Sequence, residues 1–152
     1  MKMAAAEALI LASSDIVWDV LTDAGNYPVW GSGLANIEGQ IRDGAVIRVR
    51  IQGPGKNSRR LLVCSMSTDR MTWTWSMPLG LLTVVRTFII SNHGGFTRMS
   101  VQDTARGPLV PIVRQRLGAT YPVSRFVDEV KFRSELLSFH LKGGLFPSED
   151  TP

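Results

Sequence analysis

Reactive side chains are scarce in this chain of 152 residues, which has one cysteine and two histidines. A lone cysteine excludes an intramolecular disulfide. Cys64 lies in the apolar run LLVCSM, where a buried structural thiol is the natural reading and a reducing compartment, the cytoplasm, the expected location. A nucleophilic Cys64 would want a histidine close by. His93 falls in a turn sequence, SNHGG, and His140 near the end of a helical stretch; neither has cysteine or carboxylate company at metal-ligand spacing. No metal site is therefore expected, and no phosphate loop, GxSxG or GxGxxG follows a strand, so no cofactor is expected either.

Long apolar runs are also missing. Nothing approaches the roughly 20 residues needed to span a bilayer, so no membrane segment is expected. The N-terminal MKMAAAEALILAS has Glu7 inside its apolar stretch, and its alternation suits a strand better than a secretory leader. The net charge of +4 is modest. Its basic residues are scattered, and the one cluster, KNSRR at 56–60, adjoins a loop-forming PGKNS, so no nucleic-acid partner is implied.

What remains is an ordinary globular composition, 44% hydrophobic and 20% charged, of single-domain size. Residues 4–12 alternate as a strand. Ser13 and Ser14 offer an N-cap, Asp15 puts negative charge in a first helical turn, and Ile16, Val17, Val20, Leu21 and Ala24 share one helical face. Gly25 fits a C-terminal cap, and NYPVW leaves room for one more short helical turn. From 35 to 105 the pattern has period two: ANIEGQI, AVIRVRIQ, RRLLVCSM, MTWTWSM, LLTVVRTFII and FTRMSVQDTA, separated by tight turns and therefore antiparallel neighbours. A short helix is expected near 111–119. A longer one follows from about 123 to 141, with Val123, Val127, Val130, Leu137 and Leu141 as its stripe and Phe126, Phe132, Leu136 and Phe139 widening it. So broad an apolar surface predicts a helix embraced by the sheet. One domain is expected over 1–143, with 144–152 as a flexible tail.

Five segments in this order, IVWDVLTDAGNYPVW, IEGQIRDGAVIRVRI, RMTWTW, RTFII and GGFTRMSVQDTARGPLVP, resemble the SRPBCC superfamily, in its polyketide cyclase/dehydrase-like branch. The resemblance implies an α+β helix-grip fold of the START and Bet v 1 kind: a curved antiparallel seven-strand β-sheet wrapped around a long C-terminal α-helix, with two short helices after the first strand. It also implies an apolar cavity between sheet and helix that holds a small hydrophobic molecule, either to cyclise or dehydrate it or simply to carry or sense it. A monomer or homodimer is expected. The sequence departs from the common pattern at Gly31 and Ser32 after Trp30, at Arg86 where a histidine is frequent, and at Ala105 where a phenylalanine is.

Alternation assigns the candidate cavity residues. Met71, Trp73, Trp75 and Met77 share a face; Met99 and Val101 are inward and carry Asp103 with them; Phe88 and Ile90 carry Arg86, although Val85, Thr87 and Ile89 allow the opposite assignment. With SNHGG as the turn, residue 86 comes opposite 101, and Asp103 lies one diagonal step away, within reach of the guanidinium. A carboxylate on an inward face needs a partner, so an Arg86–Asp103 pair is expected, as a structural ion pair or as a catalytic one. Tyr27 and Trp30 are placed at the cavity mouth, either filling or contacting ligand. Tyr121 is expected at the same mouth, and Phe126 and Val130 on the helix wall. A protein-docking role is disfavoured, since no long exposed apolar stripe is apparent.

Overall fold

A computed structural model describes residues 2–30, 34–51, 58–64, 66–113 and 123–143. The expected loop at 53–58, all but its last residue, Tyr121, the tail 144–152 and most of the helix expected at 111–119 fall outside the described residues. The strands are β1 (Lys2–Ile10), β2 (Leu34–Glu38), β3 (Val46–Ile51), β4 (Ser58–Cys64), β5 (Arg70–Ser76), β6 (Thr83–Asn92) and β7 (Thr97–Arg106). They form one antiparallel sheet in the order β1-β7-β6-β5-β4-β3-β2. Helix α1 (Ser14–Thr22) follows β1, and a long helix α2 (Val123–Gly143) closes the described chain. Consecutive strands from β2 to β7 are neighbours, whereas β1 returns to pair with β7, so β1 and β2 are the two edges.

Both edges nevertheless feed one core. Ile10 from β1, Ile37 from β2, Ile47 and Val49 from β3, and Met71, Phe88, Met99 and Val101 from the middle strands pack with Val17, Val20 and Leu21 of α1 and with Val123, Phe126, Val127 and Val130 of α2. Burying each of these side chains contributes about 1.5–3 kcal/mol. Edge residues and central residues meet in one cluster only because the sheet bends around the helices.

Local chemistry sets the element ends. The Ser13 hydroxyl accepts from the Ile16 amide at the start of α1. At its end, the two expected short helices reduce to one helix and a three-residue 3-10 turn, Ala24–Asn26, and Gly25 lies within that turn rather than capping α1. The cause is the Tyr27 hydroxyl, which donates to the Leu21 carbonyl at 2.6 Å. That carbonyl is the one the Gly25 amide would take if the helix continued. A side chain thus satisfies a helix-end acceptor, and the chain turns away.

The β6–β7 turn corrects the expected register. His93 N–H donates to the Phe96 carbonyl at 2.9 Å, leaving Gly94 and Gly95 as a two-residue tip, with Gly94 at φ 83°. The strands therefore pair Phe88 with Val101 and Arg86 directly with Asp103. The slip from the expected pairing is two residues, so every side chain keeps its face.

Helix α2 is gripped on one side only. Val123, Phe126, Val127, Val130, Ser134 and Ser138 are buried, whereas Phe132 (71%), Phe139 (61%) and Leu141 (68%) are exposed. Small Ser134 and Ser138, facing inward, suit close approach to the alanine-lined inner side of β1. The helix also blunts the free edge of β1. Lys131 Nζ donates to the Leu9 carbonyl at 2.8 Å, and the Leu11 amide donates to Glu135 Oε2 at 2.9 Å. Side chains take the place of the missing neighbouring strand. Burial alone would push the Glu135 carboxyl up; the bonds it accepts from Leu11 and Lys131, with the Lys131 charge, outweigh that and hold it below its ordinary value.

Candidate functional site

The inner face of the sheet is a grid of cross-strand rows. One row runs Met71–Phe88–Val101, the next Trp73–Arg86–Asp103, and the next Trp75–Val84–Ala105. Ala4 extends the middle row onto β1, opposite Asp103. At Arg86 the guanidinium grips Asp103 through two parallel bonds, Nε to Oδ1 and Nη2 to Oδ2, each 2.7 Å. Paired donors and acceptors of this kind are short and directional because both partners carry charge. The ring of Phe126, reaching in from α2, lies 5.6 Å from the Arg86 Cζ and roofs the pair. Arg86 and Asp103 keep 12% and 15% of their side-chain surface.

Exposure changes sharply along the grid. Met71, Phe88, Met99 and Val101 are wholly buried. In the next rows Ala4, Arg86, Asp103, Val84 and Trp75 are only half-buried. The inner face is thus closed at the Phe88 row and opens to solvent at Arg86, Asp103 and Val84, while Trp73 and Ala105 of the same rows stay buried. Ala4 and Val84 border this opening, and the alternation of small residues in β1 is the one sequence signal that pointed to the former.

The aromatic residues gather above the same row. Tyr27 and Trp30 have ring centroids 4.8 Å apart, Trp73 and Phe88 4.9 Å, and Phe88 and Phe126 5.7 Å. Tyr27 also lies 6.1 Å from Trp73, and Trp30 lies 6.1 Å from Phe126. Tilted and edge-on pairs at these distances are favourable beyond the area they bury. Of the residues expected to line a cavity, Tyr27, Trp30, Trp73, Phe88, Met99, Val101, Phe126 and Val130 belong to this one core. Tyr27 is fully buried with its hydroxyl committed to α1, which makes it a wall; Trp30 is half-buried. Trp75 belongs elsewhere: it packs with Leu82, Ala105, Val110, Met77 and Leu109 in a second cluster. Ala105, with its small side chain, leaves the indole that place.

The arrangement offers a cation and a carboxylate on an apolar inner face, roofed by an aromatic ring. Such a pair binds a developing oxyanion and exchanges a proton in a site of lowered dielectric. Among the described residues no group of three or more histidine, cysteine, aspartate or glutamate side chains is placed to hold a metal ion. His93 is exposed and stacks on Phe96 at 5.4 Å, and His140 is also exposed. No described helix is long and apolar enough to cross a membrane.

No family model and no curated protein sequence matches the chain. Solved structures do. A START superfamily protein from Mycobacterium smegmatis matches with a TM-score of 0.62 at 15% identity, covering 90% of this chain and 99% of that one. Norcoclaurine synthase from Thalictrum flavum matches with a TM-score of 0.63 at 18% identity over 88% of this chain and 91% of its own. The di-domain ARO/CYC protein StfQ of the steffimycin biosynthetic pathway gives 0.68 at 12% identity, covering 92% of this chain and 52% of that one. At such identities the likeness speaks for the fold alone. Antiparallel sheet, one-sided grip on a C-terminal helix and these matches agree: the chain has the α+β fold that these proteins share.

Proposed function

We propose that the protein encloses a small hydrophobic molecule, aromatic or polyketide-like, between its sheet and α2, and that it promotes cyclisation or dehydration of that molecule without a cofactor. The observation that carries this reading is the Arg86–Asp103 pair, doubly bonded at 2.7 Å on an otherwise apolar inner face yet still reached by solvent. In the proposed chemistry, a ligand carbonyl oxygen lies against the guanidinium, and the Asp103 carboxylate takes a proton from the adjacent carbon. The resulting enolate, its negative oxygen stabilised by Arg86, attacks a second carbonyl to close a ring, and the alkoxide so formed takes back the proton that Asp103 held. In a dehydration the enolate instead expels a hydroxyl group, which leaves as water with the proton that Asp103 held. The apolar walls hold the flexible molecule in a reactive shape and exclude competing water.

Two relatives with this fold are named for biosynthetic proteins, an ARO/CYC protein and norcoclaurine synthase, which supports the enzymatic reading. The second reading is a non-catalytic carrier or sensor of the same class of molecule. It is favoured by one feature, that both Asp103 oxygens are already occupied by Arg86. A cytoplasmic monomer or homodimer fits either. Native mass spectrometry of protein purified from its own source identifies any retained molecule. Turnover of that molecule by the wild type, abolished in Asp103→Asn with binding intact, establishes the enzyme. Unchanged turnover in the variant removes Asp103 from the chemistry, and binding without any turnover leaves the carrier.

A further inference from the structure

Trp73 carries a polar atom that neither the ion pair nor the aromatic packing uses. The residue is 3% exposed, and its indole nitrogen has no hydrogen-bond partner among the described residues. An indole nitrogen only donates, and buried donors are rarely left without an acceptor. Its ring neighbours do not supply one. Phe88 has no lone pair, and the Tyr27 hydroxyl, which donates to the Leu21 carbonyl, does not accept from the indole. Directly across the ladder stands Arg86, a second donor group, and the Asp103 carboxylate that it holds makes no bond to the indole. The Trp73–Arg86 step of the inner face is therefore rich in donors and aromatic surface, and none of its own acceptors takes the indole proton.

We infer that the Trp73 indole N–H donates a hydrogen bond to a carbonyl or phenolate oxygen carried by an aromatic ligand, so that the site selects oxygenated ring systems over bare hydrocarbons. The inference rests on the container reading proposed above and adds to it the donor that reads the ligand's oxygen. Arg86 on the adjacent strand favours the same oxygen electrostatically, since a guanidinium beside an acceptor raises the value of any negative charge that develops there.

9-Fluorenone and fluorene provide the test, because they share a rigid tricyclic shape and differ by a carbonyl in place of a methylene. The wild type is expected to bind fluorenone roughly tenfold more tightly than fluorene, the worth of one net hydrogen bond. In protein labelled with indole-15N tryptophan, fluorenone is expected to move the Trp73 N–H resonance downfield, and fluorene to leave its proton unbonded. Trp73→Phe is expected to bring the two affinities together, chiefly by weakening fluorenone. Equal affinities in the wild type with an unmoved Trp73 resonance overturn the inference and leave the container reading standing. Binding of neither molecule overturns the container reading and the inference with it. Should Trp73→Phe fail to fold, the wild-type affinity ratio and the indole shift decide the matter without it.

Discussion

Asp103 and Arg86 act as one unit, and a double-mutant cycle measures it. Asp103→Leu removes two charge-assisted bonds of 2.7 Å and leaves a guanidinium on an apolar face. Breaking a fully buried pair from one side costs about 3–5 kcal/mol. Here the partners keep 12% and 15% of their side-chain surface, so water recovers part of that cost and about 2–4 kcal/mol is expected. Arg86→Met strands the carboxylate instead and also loses the Phe126 contact at 5.6 Å, worth about 0.5–1 kcal/mol more. The double variant removes both charges and offers the aromatic cluster apolar surface, so its net loss is expected to be about 1 kcal/mol or less. The coupling energy is then at least about 3.5 kcal/mol, well above the additivity error for independent sites. Urea unfolding of the four proteins at neutral pH, with slopes compared to confirm a common unfolded state, supplies the cycle. Costs that simply add would refute the reasoning, because they would mean that each residue is stabilised by something other than the other.

Three further expectations concern the frame around the site. Tyr27→Phe leaves the Leu21 carbonyl at the end of α1 without its 2.6 Å donor and is expected to cost about 1–2 kcal/mol in chemical denaturation, with no loss of sheet signal in circular dichroism. Gly107→Ala puts a Cβ into the Leu81 carbonyl at a position with φ 121°, and strain of about 1–3 kcal/mol plus that overlap should lower the melting temperature by several degrees at least. Glu135 has its carboxyl held below the ordinary value of 4.5, so its contribution is present above that pH and lost as the pH falls through its lowered value. With a side chain 29% exposed the contribution is under about 1 kcal/mol, and Glu135→Gln should flatten this part of the stability profile between pH 6 and 3 while the wild type declines.

The order of elements was legible because it is written in periodicity. Period two from 35 to 105 and helical spacing after 123 gave strands and helix close to where they lie, and the parity of Arg86 and Asp103 placed both on the inner face. Register was not legible. The glycine pair at 94–95 tightens the β6–β7 turn to two residues, and only the geometry of that turn decides between a diagonal and a direct Arg86–Asp103 pairing. The fate of Gly25 was hidden for a similar reason. A glycine after a helical stretch is the commonest end signal, but a tyrosine two residues later captured the carbonyl first.

The width of an apolar helix face proved to be a poor measure of how far it is enclosed. Counting Phe132, Leu136, Phe139 and Leu141 with the buried stripe predicted a helix surrounded by sheet, and the same counting dismissed any exposed apolar surface. In the structure those four residues face solvent, and Leu9 and Leu11 are exposed at 54% and 68% on the β1 edge that Lys131 and Glu135 tie to the helix. The discriminating signal was the pair of serines. Ser134 and Ser138, which the apolar stripe leaves out, are buried at 0% and 4%, because a helix that approaches an alanine-lined strand closely needs small side chains where it touches. The large residues were displaced to the opposite side by that contact. Hydrophobicity therefore located the helix, while side-chain size decided which of its faces the sheet holds.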